Sequence, residues 1–391
     1  METAVEVDRA QVLAYRIAAQ GLDHASGSAR VGQLAVLDLG VQDSSADSVK
    51  LALAARLPDL PPDDLAAGDD VDDGLSLAWT HRGAPHLHRT ADLPSMAAAN
   101  WPRNDADAAA RLGWQRARLA EAGVAGRDAF DESAAAVHDV VAEQMLDGNG
   151  GYTAMTKGAV STAVTAKVSP GLSPYCRPCG CHHISEQLLR LTALPGGVRL
   201  EPVPAPLLLA PLPDWPWPPA EPAGTDTLIS TYLRLLGPAT PADAAGFLGT
   251  SRGELTASWP EGVVEVRVDG RKTWLPVDSA DALRDAEPSR VVRLLPPSDP
   301  LLQGRDRDLL VPDRAHQKAL WRALQSPGAL LVNGEITGTW RAKLAGKRRL
   351  DLEVRPFSSL APADRAKIDE QAQRVAAVRG VAEAGVRYGH A

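Results

Sequence analysis

Aromatic side chains make up only 4% of this 391-residue chain, and Phe occurs three times. Cysteine is scarcer still: the three residues Cys176, Cys179 and Cys181 fall within six positions, which does not resemble an extracellular disulfide framework. No apolar run approaches the roughly 20 residues needed to span a bilayer, so no membrane partner is expected. The opening METAVEVDRAQ lacks a basic segment followed by an apolar one, which argues against secretion and for a cytoplasmic protein. There is also no Gly-rich phosphate loop, no Gly-x-Ser-x-Gly elbow and no His-Glu-x-x-His pair. Nucleotide hydrolysis, esterase chemistry and zinc-protease chemistry lose their usual supports.

What is present is an ordinary soluble balance, 45% hydrophobic and 23% charged, in a chain long enough for two to four domains. Nine of the seventeen aromatics are Trp, and the abundance of Ala with so little Phe suggests a helix-rich protein. The net charge of −8 excludes indiscriminate nucleic-acid binding but not a local basic face. Much of that acidity is concentrated in the Pro-rich segment 57–74, which carries seven Asp.

Patterning predicts an α+β, helix-rich chain. Residues 8–20 read as a helix ending near Gly21, followed by helices around Leu34 and Val49. Ser44 or Ser45 is expected to cap the latter, with Asp47 in its first turn. Leu75 to Arg89 reads as strand, Gly-Ala-Pro turn and strand. Three helices and a hairpin make a winged-helix pattern over 1–100. A second unit, 101–201, is expected to hold helices over 108–122, 131–145, 157–167 (capped by Thr156) and 184–194, then a strand over 198–203.

Residues 202–225 form a Pro-rich linker; nine Pro in the 21 positions 202–222 cannot continue a helix or a central strand. Trp215 and Trp217 are expected to pin it. The third unit, 226–287, is the clearest: a helix ending at Gly237-Pro238, another opened by Thr240-Pro241, a third opened by Ser251 with Glu254, then strands flanking Asp269-Gly270. From 288 to 391, strands over 290–295, 329–332, 335–341 and 348–354 and a closing helix over 363–378 predict a small β-barrel-like domain.

Trp79-Thr-His-Arg-Gly-Ala-Pro-His86, the 235–249 segment, Arg293-Leu-Leu-Pro-Pro-Ser-Asp-Pro-Leu-Leu302, the 305–312 segment and Val332-Asn-Gly-Glu-Ile-Thr-Gly-Thr-Trp-Arg341 together resemble the AlkZ-like DNA glycosylase family, in order and over nearly the whole chain. The resemblance implies three tandem winged helices and a β-barrel domain around a DNA channel. It also implies hydrolysis of the N-glycosidic bond of alkylated bases, including cross-linked ones, in double-stranded DNA. The family's motif, Gln-x-Gln or Gln-x-Asp after a Gly-apolar pair, falls on Gly40-Val41-Gln42. Gln42 takes the first position and Asp43 the intervening one. Ser44 stands in the third, a departure from the family pattern.

Loss of an alkylated base passes through an oxocarbenium-like sugar, so the site needs a positioned water and negative groups more than an acid. Gln42 could orient the water, Asp43 could stabilise the cation or take the proton, and Ser44 could hydrogen-bond a water without supplying charge. The rival reading is a non-catalytic winged-helix binding or regulatory protein on the same scaffold. DNA contact is expected from the hairpin residues His81, Arg82, His86 and His88, the alternative being an exposed, solvated hairpin. The basic run Arg341, Lys343, Lys347, Arg348 and Arg349 is a second expected DNA contact, with a solvated turn as its alternative. Cys176, Cys179, Cys181, His182 and His183 have zinc-ligand types, but in so compact a run reduced thiols are the favoured reading, and no metal or cofactor is expected. With several winged helices in one chain and no dimerising segment, a monomer is expected.

Overall fold

The computed structural model describes residues 4–23, 30–45, 47–59, 61, 74–201, 205–346 and 348–389. Most of the acidic segment 57–74, residues 202–204 of the linker and the expected DNA contact Lys347 lie outside the described residues. The chain divides into two compact units. One comprises Met1–Ala67, Ser230–Asp243 and Glu261–Ala391, the other Gly68–Ile229 and Ala244–Pro260.

In the first unit, the helix Arg9–Ala19 (α1) opens on a reciprocal cap: Asp8 accepts from the Gln11 amide while the Gln11 side chain accepts from the Asp8 amide. Gly21 follows it at φ 70, where a side chain would be strained. The expected helix around Leu34 is instead two short 3₁₀ turns, Val31–Gln33 and Ala35–Asp38. The helix Ser48–Arg56 (α2) is present and buried on nearly every side. A strand not foreseen in the sequence, Val5–Val7, adds in parallel to Val263–Val268, which pairs with Arg271–Pro276 around the expected Asp269-Gly270 turn. Val5, Val7, Val12, Tyr15, Val266, Leu275 and Leu283 form the apolar layer beneath this sheet.

The C-terminal strands run in the order Val292–Leu295, Gly328–Val332, Glu335–Ala345, Arg349–Pro356, Glu383–Tyr388. The expected barrel is an open sheet: its last strand, unforeseen, adds in parallel beside Arg349–Pro356, and no sheet among the described residues closes on itself. The helix Pro362–Val378 (α3) buries Ile368, Ala372 and Val375.

Buried ion pairs tie this unit together. Arg16 meets Asp306 at 2.6 Å and also donates to the carbonyls of Gly237 and Pro238. Arg56 meets Asp299 at 2.9 Å, both side chains fully buried, and donates to Gln20 as well. Removing one member of such a pair costs about 3–5 kcal/mol, because the other charge is left without a partner.

The second unit is built on the helix Gly126–Val140 (α4), which packs against Asp105–Leu112, Lys157–Thr165 and Glu186–Ala193. Trp101 and Phe130 meet edge to face at 5.8 Å in its core. The helix expected over 108–122 breaks at Gly113, φ 59, into Asp105–Leu112 and Arg116–Glu121. Thr156 and Ser185 cap their helices through the amides of Ala159 and Leu188. Leu75–Trp79 and Pro85–Arg89 pair as expected, and Leu77 pairs onward with Leu200.

The Pro-rich segment departs from expectation. Leu208–Pro211 is an interior strand between Val198–Leu200 and Met155–Thr156. The apolar run Leu207-Leu208-Leu209-Ala210 supplies amides that Pro cannot, so the strand forms between the prolines. Beyond this strand, Trp215 pins the chain by donating to the Pro195 carbonyl at 3.0 Å, while Trp217 lies over His138 and is largely exposed.

Candidate active site

Gln42 closes the two-residue strand Val41–Gln42, with Val41 buried and Gln42 half-buried. Asp43 folds back toward the start of α2, where the Ser48 hydroxyl donates to its Oδ1 at 3.1 Å. The same hydroxyl accepts from the Ser44 amide at 3.0 Å and the Ser45 amide at 3.2 Å. Ser48, which sequence reasoning passed over, therefore organises the turn. A Ser five residues beyond a candidate carboxylate, at the first turn of an apolar helix, was the available clue.

The cap differs from the expectation too. Asp47, at φ 64, stands at the cap position without a side-chain cap bond, and Ser44 and Ser45 receive a side chain's help rather than give it. Asp47 instead pairs with Arg379 at 3.6 Å. Ser44 is exposed and its hydroxyl donates to the Pro297 carbonyl at 2.9 Å. The Pro296-Pro297-Ser298-Asp299 run thus holds both ends of α2, through Ser44 at its start and Arg56 at its end.

Burial pushes the Asp43 carboxyl above the ordinary Asp range; the Ser48 bond pulls it down and the neighbouring Asp47 charge pushes it up. A half-buried carboxylate of raised basicity can hold a water and accept its proton.

The histidines expected to meet DNA do not line an exposed wing. His81, His86 and His88 are buried, at 0%, 2% and 0% exposure. His86 Nδ1 lies 2.9 Å from the Ala84 carbonyl and 2.8 Å from Thr80 Oγ1, which in turn lies 3.3 Å from His88 Nε2. A neutral His86 protonated on Nδ1 satisfies this chain. Burial holds His86 well below the usual His range, and His81, His88 and Arg82 add to the effect. Arg82 is also turned inward: its guanidinium lies 5.2 Å from the Phe247 ring and donates to the Phe247 carbonyl. Burial and internal hydrogen bonds turn the three histidines away from solvent, whereas Arg82 is half-buried with its guanidinium on Phe247. The strands Leu-Ser-Leu-Ala-Trp and Pro-His-Leu-His-Arg carry no acid and no Lys, and that lack of a solvated face was the overlooked clue.

Arg341, Lys343, Arg348 and Arg349, by contrast, are exposed. Arg341 sits opposite Glu353 and Lys343 opposite Asp351 in the ladder, so part of the charge is balanced across the hairpin. Beside Arg341 opens a cavity of ≈ 640 Å³ lined by His316, Lys318, Arg322, Arg355 and Phe357, with Glu353 the one acid in its wall. His316 stacks on Phe357 at 4.0 Å. Partial burial holds Arg341 below the usual Arg range; the Arg322 and Arg355 charges act in the same direction and Glu353 opposes them.

A sequence model described as DNA glycosylase AlkZ-like matches residues 32–378. The chain belongs to the AlkZ-like DNA glycosylase family. The interstrand DNA cross-link repair glycosylase of Streptomyces sahachiroi is 28% identical over 184 residues, a stretch covering 44% of this chain and 48% of that protein. The match thus spans about half the length of the relative. The structure of Streptomyces sahachiroi DNA glycosylase AlkZ superposes with a TM-score of 0.73 at 23% identity, over 98% of this chain and 100% of that one. The likeness establishes a shared AlkZ fold.

Proposed function

We propose that this protein is a monofunctional DNA glycosylase that hydrolyses the N-glycosidic bond of alkylated bases in double-stranded DNA, cross-linked bases included. The observation that carries the reading is the half-buried Asp43, fixed by Ser48 beside Gln42 at the motif position of an AlkZ-like chain. Gln42 orients the attacking water. Asp43 faces the developing sugar cation and takes the water's proton as the C–O bond forms and the C–N bond breaks. N-alkylation makes the base a good leaving group, so no general acid is needed. Ser44 is held by Pro297 and supplies no charge, which leaves the negative role to Asp43. The cross-link repair name of the relative supports the inclusion of cross-linked substrates.

Arg341, Lys343 and Arg348 bind backbone phosphates, and the adjoining basic cavity takes one further phosphate. In this reading the segments 1–100, 101–201 and 226–287 act as three winged helices, in a cytoplasmic monomer. The test is incubation with a duplex carrying one N7-methyl-dG, and separately with a mustard cross-link, scoring abasic sites by alkaline cleavage. Base release well above the spontaneous rate is expected. Binding without release on both substrates would overturn the enzymatic reading in favour of a DNA-binding protein.

A further inference from the structure

The segment between Lys157–Thr165 and Glu186–Ala193 contains the smallest sheet among the described residues: Tyr175–Cys176 against Cys181–His182. Two residues per strand cannot hold a hairpin in water, and little apolar surface compensates. Tyr175 is 53% exposed, Cys179 and Cys181 are exposed, and the turn Arg177–Gly180 is open to solvent throughout. Yet the turn is well formed. The Gly180 amide donates to the Cys176 carbonyl at 2.9 Å, and Gly180 takes φ 67, which the sequence Cys-x-x-Cys-Gly permits without strain.

The sulfurs of Cys176 and Cys179 and a ring nitrogen of His183 lie within 4.8 Å of one another. His183 is oriented for coordination: its Nδ1 lies 2.7 Å from the Ile184 carbonyl, which fixes the proton there and leaves the Nε2 lone pair available. That Nε2 is shielded from solvent, and the side-chain partner of the ring is the Cys176 thiol, itself one of the cluster. Tetrahedral zinc with thiolate and imidazole ligands sets its donors about 3.3–3.8 Å apart, a small contraction from what is present. Cys181 lies directly opposite Cys176 in the register, so the two side chains leave the same face and Cys181 can supply a fourth ligand. His182 does not join them: it lies opposite Tyr175 in the register, so its side chain leaves the other face, where its ring rests on Tyr175.

We infer that Cys176, Cys179 and His183, with Cys181 completing the set, form a structural zinc site. The thiols lose their protons to solvent on binding, with no change of oxidation state. The ion cross-links the hairpin to Ile184, which is fully buried, and so to the start of the helix whose Gln187 donates to the Arg82 carbonyl at 3.1 Å. It anchors the support of the histidine hairpin and takes no part in base release.

The test is elemental analysis of the full-length protein, prepared without a polyhistidine tag from zinc-supplemented culture. About one zinc per chain is expected in wild type, and less than about a tenth of that in Cys176→Ser and Cys179→Ser. Should those variants fold poorly, Co²⁺ added to chelator-stripped wild type gives the second readout: a thiolate-to-cobalt charge-transfer band with intense tetrahedral d–d bands. Its intensity is expected to drop in Cys181→Ser as water replaces sulfur. Wild type with neither zinc nor a cobalt band overturns the site. Full zinc retained in both folded Cys variants overturns it equally, by placing the ion elsewhere.

Discussion

Two hairpins in this protein are rich in His, Lys and Arg, and they use those residues in opposite ways. Leu75–Arg89 buries His81, His86 and His88, links His86 and His88 through Thr80, sets His81 Nδ1 3.0 Å from Asn100 Oδ1 and turns Arg82 onto Phe247. The hairpin from Glu335 to Pro356 keeps Arg341, Lys343, Arg348 and Arg349 in solvent and buries the alternate positions, Leu350, Leu352 and Val354. What separates them is the rest of the strand. Where charged and apolar residues alternate, one face stays wet; where the polar residues inside a strand are His, with the only charge at its end, both faces can be covered once the imidazoles find partners. Titratable side chains therefore mark function only after burial is known.

The largest expected contrast comes from adding charge to each hairpin. His88→Lys places an unpartnered ammonium in a fully buried position and should cost about 3–5 kcal/mol of stability in urea unfolding. A loss below about 1 kcal/mol would mean the hairpin can open. Combined Arg341→Ala, Lys343→Ala and Arg348→Ala substitutions should leave stability within about 0.5 kcal/mol per site. They should instead weaken duplex binding and reduce the slope of log affinity against log salt by about 2.7. An unchanged slope would remove this hairpin from the DNA interface.

Acid separates the two regions more gently. His86 is held neutral when folded, whereas in the unfolded chain it binds a proton below about pH 6.5. The unfolded state then holds more protons, so stability is full above that pH and falls toward the depressed folded value, by up to about 1.4 kcal/mol per pH unit. Melting temperatures read from pH 8 to 5 should show the decline, and His86→Gln should flatten it.

Asp43 lies between the two extremes, half-buried and raised. If its carboxylate is the active form, the single-turnover rate climbs with pH through a limb lying above the ordinary Asp range. Ser48→Ala removes the bond that lowers this group and should move the limb to higher pH. A limb that stays in place would detach the pH dependence from Asp43.

Much of the fold could be read from local chemistry. Asp269-Gly270, the caps Thr156 and Ser251, and the strand-turn-strand at 75–89 behave as their residues dictate. What escaped the sequence depends on distant partners. Val5–Val7 is too short to announce itself without Val263–Val268 beside it, and Glu383–Tyr388 likewise needs Arg349–Pro356. Nor does the density of prolines in 202–222 reveal that Leu208–Pro211 has neighbours on both sides. At the candidate site, Gln42 and Asp43 were legible from the motif. Ser48 and the Pro297 carbonyl were not, because their roles exist only once the turn has formed.

The central claim is that Asp43, not Ser44, supplies the negative charge for base release. Single-turnover excision of N7-methyl-dG should fall by about 10²–10⁴-fold in Asp43→Asn, with duplex affinity within about twofold of wild type, while Ser44→Ala stays near the wild-type rate. An Asp43→Asn protein that excises at the wild-type rate would contradict the account.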